Sequence, residues 1–255
     1  MQHASIRLVA RALLAVRYLT IVPVSRRGHA SLQDLGGAAP WFPVVGAGLG
    51  LAVAAVDAVT TRMFPPLVAA LLTVTAWKVL TGGLHLDGLA DCLDGFAGHD
   101  PAQRRAIMSD SRIGAFGAVG LVLFLTLQVA ALGELSLGMR WRALVTAPVI
   151  ARSTPALLGR LFRPARADGQ GAIFCAGLGR AAAPVALSVA IVVAVGVLGA
   201  LGLVALAVGI GAAVVTGAFL SRRIGGVTGD VLGGVVELTE LAVLLTVSAW
   251  THTRP

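Results

Sequence analysis

Charge is scarce in this chain. Only 13% of its 255 residues are Asp, Glu, Lys or Arg, against 57% hydrophobic, and a globule of this length has too little interior to hide so much apolar surface. A water-soluble domain is therefore excluded; with a mean hydropathy of +0.88, an integral membrane protein is expected. Cysteine is nearly absent. Cys92 and Cys175 both fall in segments expected to face the cytoplasm, so no disulfide is expected. Aromatic residues make up 5% and form no basic-aromatic stripe of the kind that stacks bases, so the isoelectric point near 11.3 reflects membrane orientation and no nucleic-acid partner. Repeats of fixed period, low-complexity tracts and linkers are missing too, so residues 1–255 read as a single integral membrane domain. No small-residue cleavage pattern follows the first apolar stretch, which Arg11 and Arg17 interrupt, so it is not read as a signal peptide.

What is present is a series of apolar runs of about 17 to 25 residues, the length that spans a hydrocarbon core as a helix. They lie near 40–61, 66–81, 116–133, 143–160, 183–199, 201–220 and 233–250. The expected fold is all-α, a polytopic transmembrane helix bundle with about seven spans. Gly199 and Gly202 leave open whether the fifth and sixth runs form one bent or re-entrant element. With the N-terminus cytoplasmic, Arg7, Arg11, Arg17, Arg26, Arg27, Arg104, Arg105, Arg112, Arg160, Arg163, Arg166, Arg180, Arg222 and Arg223 fall inside. Only Arg62, Arg140, Arg142 and Arg254 fall outside. Basic residues gather in cytoplasmic loops, so this asymmetry supports the orientation. Arg7, Arg11 and Arg17 share one helical face, which makes 1–27 a candidate amphipathic helix lying on anionic lipid, or else the ordinary positive flank of the first span.

Six of the twelve acids fall in two clusters: Asp87, Asp91 and Asp94, and Asp230, Glu237 and Glu240. Spacings of i, i+4 and i+7 put the first three within about 60° of each other on a helix. The second three span about 80°. Four crossings separate the clusters, so both emerge on the cytoplasmic side, in the segments 82–115 and 222–232 and the helix that follows. Stacked carboxylates near low dielectric are costly without a compensating cation. An all-carboxylate set favours Mg²⁺ or Mn²⁺ over zinc; a zinc site from His85, Cys92 and His99 is the weaker reading, and a merely solvated pair of charge runs is the plainest alternative.

Such a metal suggests a phosphate substrate, and groups to hold one are at hand. In "IMSDSRIGAFG" (107–117), Asp110, Ser111 and Arg112 open a span, where free backbone N–H groups and a guanidinium can hold an anion. Arg152 sits inside an apolar run, where an ionisable residue is by default a functional suspect. Lys78 lies near the end of the second run, where it could equally snorkel to the interface. Gly226 and Thr228, in "IGGVTGD", form a second small-residue turn that delivers Asp230 beside Arg222 and Arg223. Trp41, Trp77 and Phe116 read as interface anchors, with an aromatic wall as the alternative.

"YLTIVPV" (18–24), "WFPVVGAGLG" (41–50), "TGGLHLDGLADCLDG" (81–95), "IMSDSRIGAFG" (107–117) and "IGGVTGDVLGGVVELTELAVLL" (224–245) together resemble the cobalamin synthase family, the adenosylcobinamide-GDP ribazoletransferases. The resemblance implies a Mg²⁺-dependent, multi-pass enzyme of the bacterial inner membrane with its active site toward the cytoplasm. Such an enzyme joins adenosylcobinamide-GDP to α-ribazole, or its 5′-phosphate, and releases GMP. Carried onto this chain, the family's motifs fall on His85, Asp87, Asp91 and Asp94, on Asp110, Ser111, Arg112 and Gly114, and on Gly229, Asp230, Glu237 and Glu240. The sequence departs from them at Ser109, where relatives often carry arginine. The expected chemistry is attack of a ribose hydroxyl on the cobinamide-side phosphorus, with Asp87, Asp91 and Asp94 holding one Mg²⁺ and Asp230, Glu240 and Glu237 completing a second site. Arg112 and Arg152 would offset charge on the departing GMP, and one of the aspartates or His85 would take the proton. The bilayer is an expected partner, and homo-oligomerisation stays open. A CDP-alcohol-type phosphotransferase and a cation-coupled transporter are the alternatives. The longer DGxxAR…GxxxDxxxD frame of the first is missing, and acids gathered at one interface without a clear repeat count against the second.

Overall fold

The computed structural model describes residues 2–24 and 31–253. Arg26, Arg27 and Arg254, and the end of the expected 1–27 segment, lie outside that range. Among the described residues the backbone forms helices and turns, with one isolated bridge between Pro164 and Val227. In chain order the α-helices are α1 (Gln2–Leu19), α2 (Leu35–Ala38), α3 (Phe42–Met63), α4 (Pro66–Leu80), α5 (Leu84–Asp94) and α6 (Pro101–Met108). They continue with α7 (Ala115–Gly133), α8 (Leu137–Leu161), α9 (Gln170–Gly177), α10 (Ala182–Leu198), α11 (Ala200–Ile224) and α12 (Gly229–His252).

Each apolar run becomes a helix, because hydrocarbon offers the backbone no other partner than itself. The stretch 32–63, α7, α11 and α12 are long and apolar enough to cross a membrane unaided. Counting the bent pairs α4–α5 (93°) and α9–α10 (89°) as one span each raises the number to six. Helix α8 has the length, 25 residues, but Arg140, Arg142, Arg152 and Arg160 interrupt its apolarity. The fifth and sixth runs fold as two separate helices, α10 and α11, broken at Gly199 and packed against each other. Helix α5 has 11 residues, a rise of about 16 Å. That is too short to cross, so α5 lies at the bundle end, outside the spans.

The core centres on α8, which packs against α3, α10, α11 and α12. Two prolines interrupt it, Pro148 and Pro155. Pro155 has no N–H for the carbonyl of Ala151, but the Thr154 hydroxyl donates to that carbonyl at 2.7 Å, so α8 crosses the apolar interior without an orphaned acceptor there. One end of the bundle gathers the starts of α3, α7, α10 and α12 and the ends of α4, α8 and α11. Backbone bonds stitch it: Val227 N–H donates to Arg163 C=O and Ala165 N–H to Val227 C=O, both at 2.9 Å. The far end is pinned by a buried ion pair, in which Arg140 grips Asp57 with Nη2 to Oδ1 at 2.5 Å and Nε to Oδ2 at 3.0 Å. Thr73 donates to the same carboxylate at 3.0 Å.

In α1 the first half exposes Ile6, Leu8 and Val9, and the second half packs against the bundle. Leu14, Ala15 and Leu19 are buried while Arg7, Arg11 and Arg17 are exposed.

Candidate active site

The site lies where α5 crosses α12. Gly88 permits the crossing, since a Cβ there would come within 2.8 Å of the Asp230 carbonyl oxygen and 2.9 Å of its Cα. Before α12 the chain turns through Gly226 at φ 142°, a conformation that other residues rarely adopt. A side chain at that position would also strike the Arg163–Ala165 backbone. Thr228 then caps α12: its Oγ1 accepts from Val231 N–H at 3.1 Å and donates to Asp230 Oδ2 at 3.2 Å. Gly226 and Thr228, expected to touch substrate, thus shape and cap the start of α12, and Thr228 also lines a cavity described below.

The six acids expected to cage metal separate into three groups. Asp94 is buried and committed to the protein: its two oxygens accept from Gly114 N–H and Gly117 N–H, each at 2.8 Å. It satisfies the first turn of α7, whose N-terminal N–H groups have no partner within the helix. Glu237 and Glu240 lie inside the bundle with two cations. Lys78 Nζ reaches Glu237 Oε2 at 2.5 Å and Glu240 Oε2 at 3.2 Å, and Arg152 Nη1 reaches Glu240 Oε1 at 2.5 Å. Lys78 therefore turns inward, 4.9 Å from the Trp77 ring centroid, and does not snorkel. Asp87, Asp91 and Asp230 remain, without an ion pair among the described residues. Burial first, then Asp87, Asp230 and Asp94, push the Asp91 carboxyl up to about 7.

His85 is 5% exposed, its Nδ1 has no hydrogen-bond partner, and burial, then Arg152 and Lys78, hold its pKa well below the usual range. Its ring packs on α12 at Gly233.

The loop before α7 stands apart from these acids. Arg112 is exposed and forks onto Asp110, with Nη2 to Oδ2 at 2.6 Å and Nε to Oδ1 at 3.0 Å, which lowers the Asp110 carboxyl to about 2. Ser111 is exposed. Arg104 and Arg105 donate to the Arg223 and Ile224 carbonyls at 3.0 and 2.6 Å, serving the last turn of α11.

A cavity of about 210 Å³ opens beside the crossing, lined by His85, Asp87 and Asp230. Its wall is three aromatic rings: Tyr18 stacks on Phe42 at 6.2 Å between centroids and Phe42 on Phe174 at 5.9 Å. These rings come from α1, α3 and α9 and carry no shared spacing, so the sequence did not single them out. Trp77 is instead buried in the core, Phe116 is 59% exposed and Trp41 packs beside α1. A second, more polar space of about 300 Å³ adjoins the first through Gln170, Gly171, Gly229 and Asp230, and adds Arg166.

Among the described residues, no three of His, Cys, Asp and Glu are set to hold a metal ion by themselves. The chemistry of the donor set still suits a hard cation, since Asp87, Asp91 and Asp230 offer only oxygens and none is ion-paired among the described residues, with Arg166 acting on Asp230 from a distance. Mg²⁺ ordinarily takes one or two carboxylates and completes its shell with water and substrate phosphate.

A family model described as CobS, cobalamin-5-phosphate synthase, matches residues 11–248. Curated relatives are similar over nearly their whole length. The adenosylcobinamide-GDP ribazoletransferase of Geotalea daltonii is 38% identical over 237 residues, 92% of this chain and 96% of the relative. That of Ectopseudomonas mendocina is 37% identical over 234 residues (91% and 96%). That of Azorhizobium caulinodans is 38% identical over 257 residues (96% and 97%). No solved structure matches.

Proposed function

Because the chain belongs to the cobalamin-5-phosphate synthase family, we propose that it joins adenosylcobinamide-GDP to α-ribazole or its 5′-phosphate and releases GMP, at the crossing of α5 and α12. The observation that carries this reading is the meeting of Asp87, Asp91 and Asp230, none of them ion-paired, beside a cavity at the Arg-rich end of a membrane bundle. In the reaction a ribose hydroxyl oxygen bonds to the cobinamide-side phosphorus. The pyrophosphate P–O bond breaks, and the electron pair leaves with GMP.

Mg²⁺ held by Asp87, Asp91 and Asp230 together with substrate oxygens would supply charge neutralisation and alignment. The chain's own residues supply the rest. His85, Asp87 and Asp230 line the cavity, and one of them takes the hydroxyl proton. Arg112, exposed and held only by Asp110, is free to exchange that partner for a phosphate of the donor. Lys78, Arg152, Glu237 and Glu240 form a neutral buried lattice that fixes α4, α8 and α12 behind the site. Asp94 fixes α7 against α5. These five helices must hold their positions, because small displacements of reacting groups cost large factors in rate.

The fourteen-to-four division of arginines supports an inner-membrane enzyme with this end toward the cytoplasm. The test is purified protein in detergent with adenosylcobinamide-GDP, α-ribazole 5′-phosphate and Mg²⁺. Expected are stoichiometric GMP and a changed corrinoid visible spectrum, both abolished by EDTA and restored by added Mg²⁺. GMP release without a new corrinoid, or turnover indifferent to EDTA, would overturn the respective halves of the reading.

A further inference from the structure

The cavity beside the crossing is double. Its first chamber is apolar apart from His85, Asp87, Gln170 and Asp230, and one side is the stack of Tyr18, Phe42 and Phe174. Its second chamber, across Asp230, contains Arg166 and the starts of both α9 and α12, whose backbones approach so closely that a Cβ on Gly171 would lie 3.0 Å from Gly229 N. Neither Arg166 nor these rings entered the expected site.

We propose that the double cavity is the acceptor site, with the flat base of the ribazole on the aromatic wall, its ribose at Asp230, and a 5′-phosphate beside Arg166. The inference rests on the ribazoletransferase reading above.

Three observations carry it. First, the volumes of about 210 and 300 Å³ suit a mononucleotide and are far too small for a corrinoid. Second, three aromatic rings, Tyr18, Phe42 and Phe174, wall the first chamber, a surface on which a flat base can stack. A benzimidazole-type base has apolar ring edges that suit the side of this chamber formed by Leu35, Leu84 and Leu232. Third, Arg166 is exposed, and its guanidinium acts on the Asp230 carboxylate at a distance, without a hydrogen bond or ion pair that fixes it. Asp168 and Asp230 share that chamber, so Arg166 is the one cation among the described residues that line it, and the start of α9 adds backbone N–H groups that an anion beside it can use. Arg166 is then a specificity-determining residue. It selects the phosphorylated acceptor and has no part in the bond changes.

The experiment compares α-ribazole 5′-phosphate with α-ribazole, using adenosylcobinamide-GDP, Mg²⁺ and full-length wild type, Arg166→Ala, Arg166→Lys and Phe174→Ala in detergent. The wild type should prefer the phosphorylated acceptor in kcat/KM. Arg166→Ala should reduce that preference about tenfold or more, through KM, and Arg166→Lys should restore part of it. Phe174→Ala should raise KM for both acceptors alike. An unchanged preference in Arg166→Ala, with both acceptors still turned over, overturns the assignment. Equilibrium dialysis of α-ribazole 5′-phosphate separates this from failure of the underlying reading. Binding that Arg166→Ala weakens, in a protein that transfers nothing, leaves the site standing and removes the reaction; absence of binding to the wild type removes the site.

Discussion

At the scale of single residues, neighbouring carboxylates on one helix do different work. Asp94 exchanges water for two backbone N–H groups, each a charge-assisted bond shielded from solvent. Asp91, one turn earlier on α5, has no such partner and its neighbours repel it. Asp94→Ala should therefore cost stability, about 3 kcal/mol for two lost bonds to an ionised acceptor, seen as earlier unfolding in an SDS titration. Asp91→Asn removes repulsion and should unfold no sooner than wild type, yet lose at least about a hundredfold in turnover through lost transition-state charge stabilisation. Near-normal GMP release from a well-folded Asp91→Asn protein would detach the aspartates from the chemistry. The exposed Asp110–Arg112 pair adds a pH signature. Its carboxyl is lowered to about 2, so the order it gives the 110–114 loop is complete above the ordinary carboxylate range and disappears as pH falls through about 2. A fluorophore on Ser111→Cys should report constant loop mobility from pH 8 to about 4 and rising mobility below; a transition near neutrality would contradict the pairing.

At the scale of helices, apolar length was readable and buried charge was only half readable. Each long run became a helix because the backbone has no alternative in lipid, and Lys78 and Arg152 stood out because ionisable groups are rare there. Their partners were harder to see. Glu237 and Glu240 looked like metal ligands from spacing on α12 alone, and only the approach of α4 and α8 from distant sequence turns them into salt-bridge acceptors. Asp57 and Arg140, 83 residues apart, escaped notice for the same reason, although a lone acid within the first span was a usable signal. The lattice should behave as a unit. Lys78→Met leaves two glutamates facing Arg152 alone and should cost about 3–5 kcal/mol. Adding Glu237→Gln restores the balance of charge and should recover much of that loss, giving a coupling energy above about 1 kcal/mol in a double-mutant cycle. Strictly additive losses would mean that the two side chains do not act together.

At the scale of the whole molecule, antiparallel helices carry the chemistry to one end. Segments 82–115 and 222–232 were recognisable as partners because an even number of crossings separates them, and α5 does lie against α12. The aromatic wall was not recognisable, since Tyr18, Phe42 and Phe174 meet only after α1, α3 and α9 fold over that end. The same end carries Arg104, Arg105, Arg112, Arg160, Arg163, Arg166, Arg180, Arg222 and Arg223, while Glu134 and Ser136 mark the other. Because positive charge is retained in the cytoplasm, we propose that this end of the bundle faces it, a direction the site would share. With Cys175 replaced by serine and Cys92 buried, a membrane-impermeant maleimide should label Ser136→Cys in intact spheroplasts. Ser111→Cys, exposed in the loop before α7 at the same end of the bundle, should react only in inverted vesicles or after permeabilisation. The reverse pattern would put the acids, the cavity and Arg166 on the side away from cytoplasmic nucleotides, where a GDP-activated substrate could not reach them.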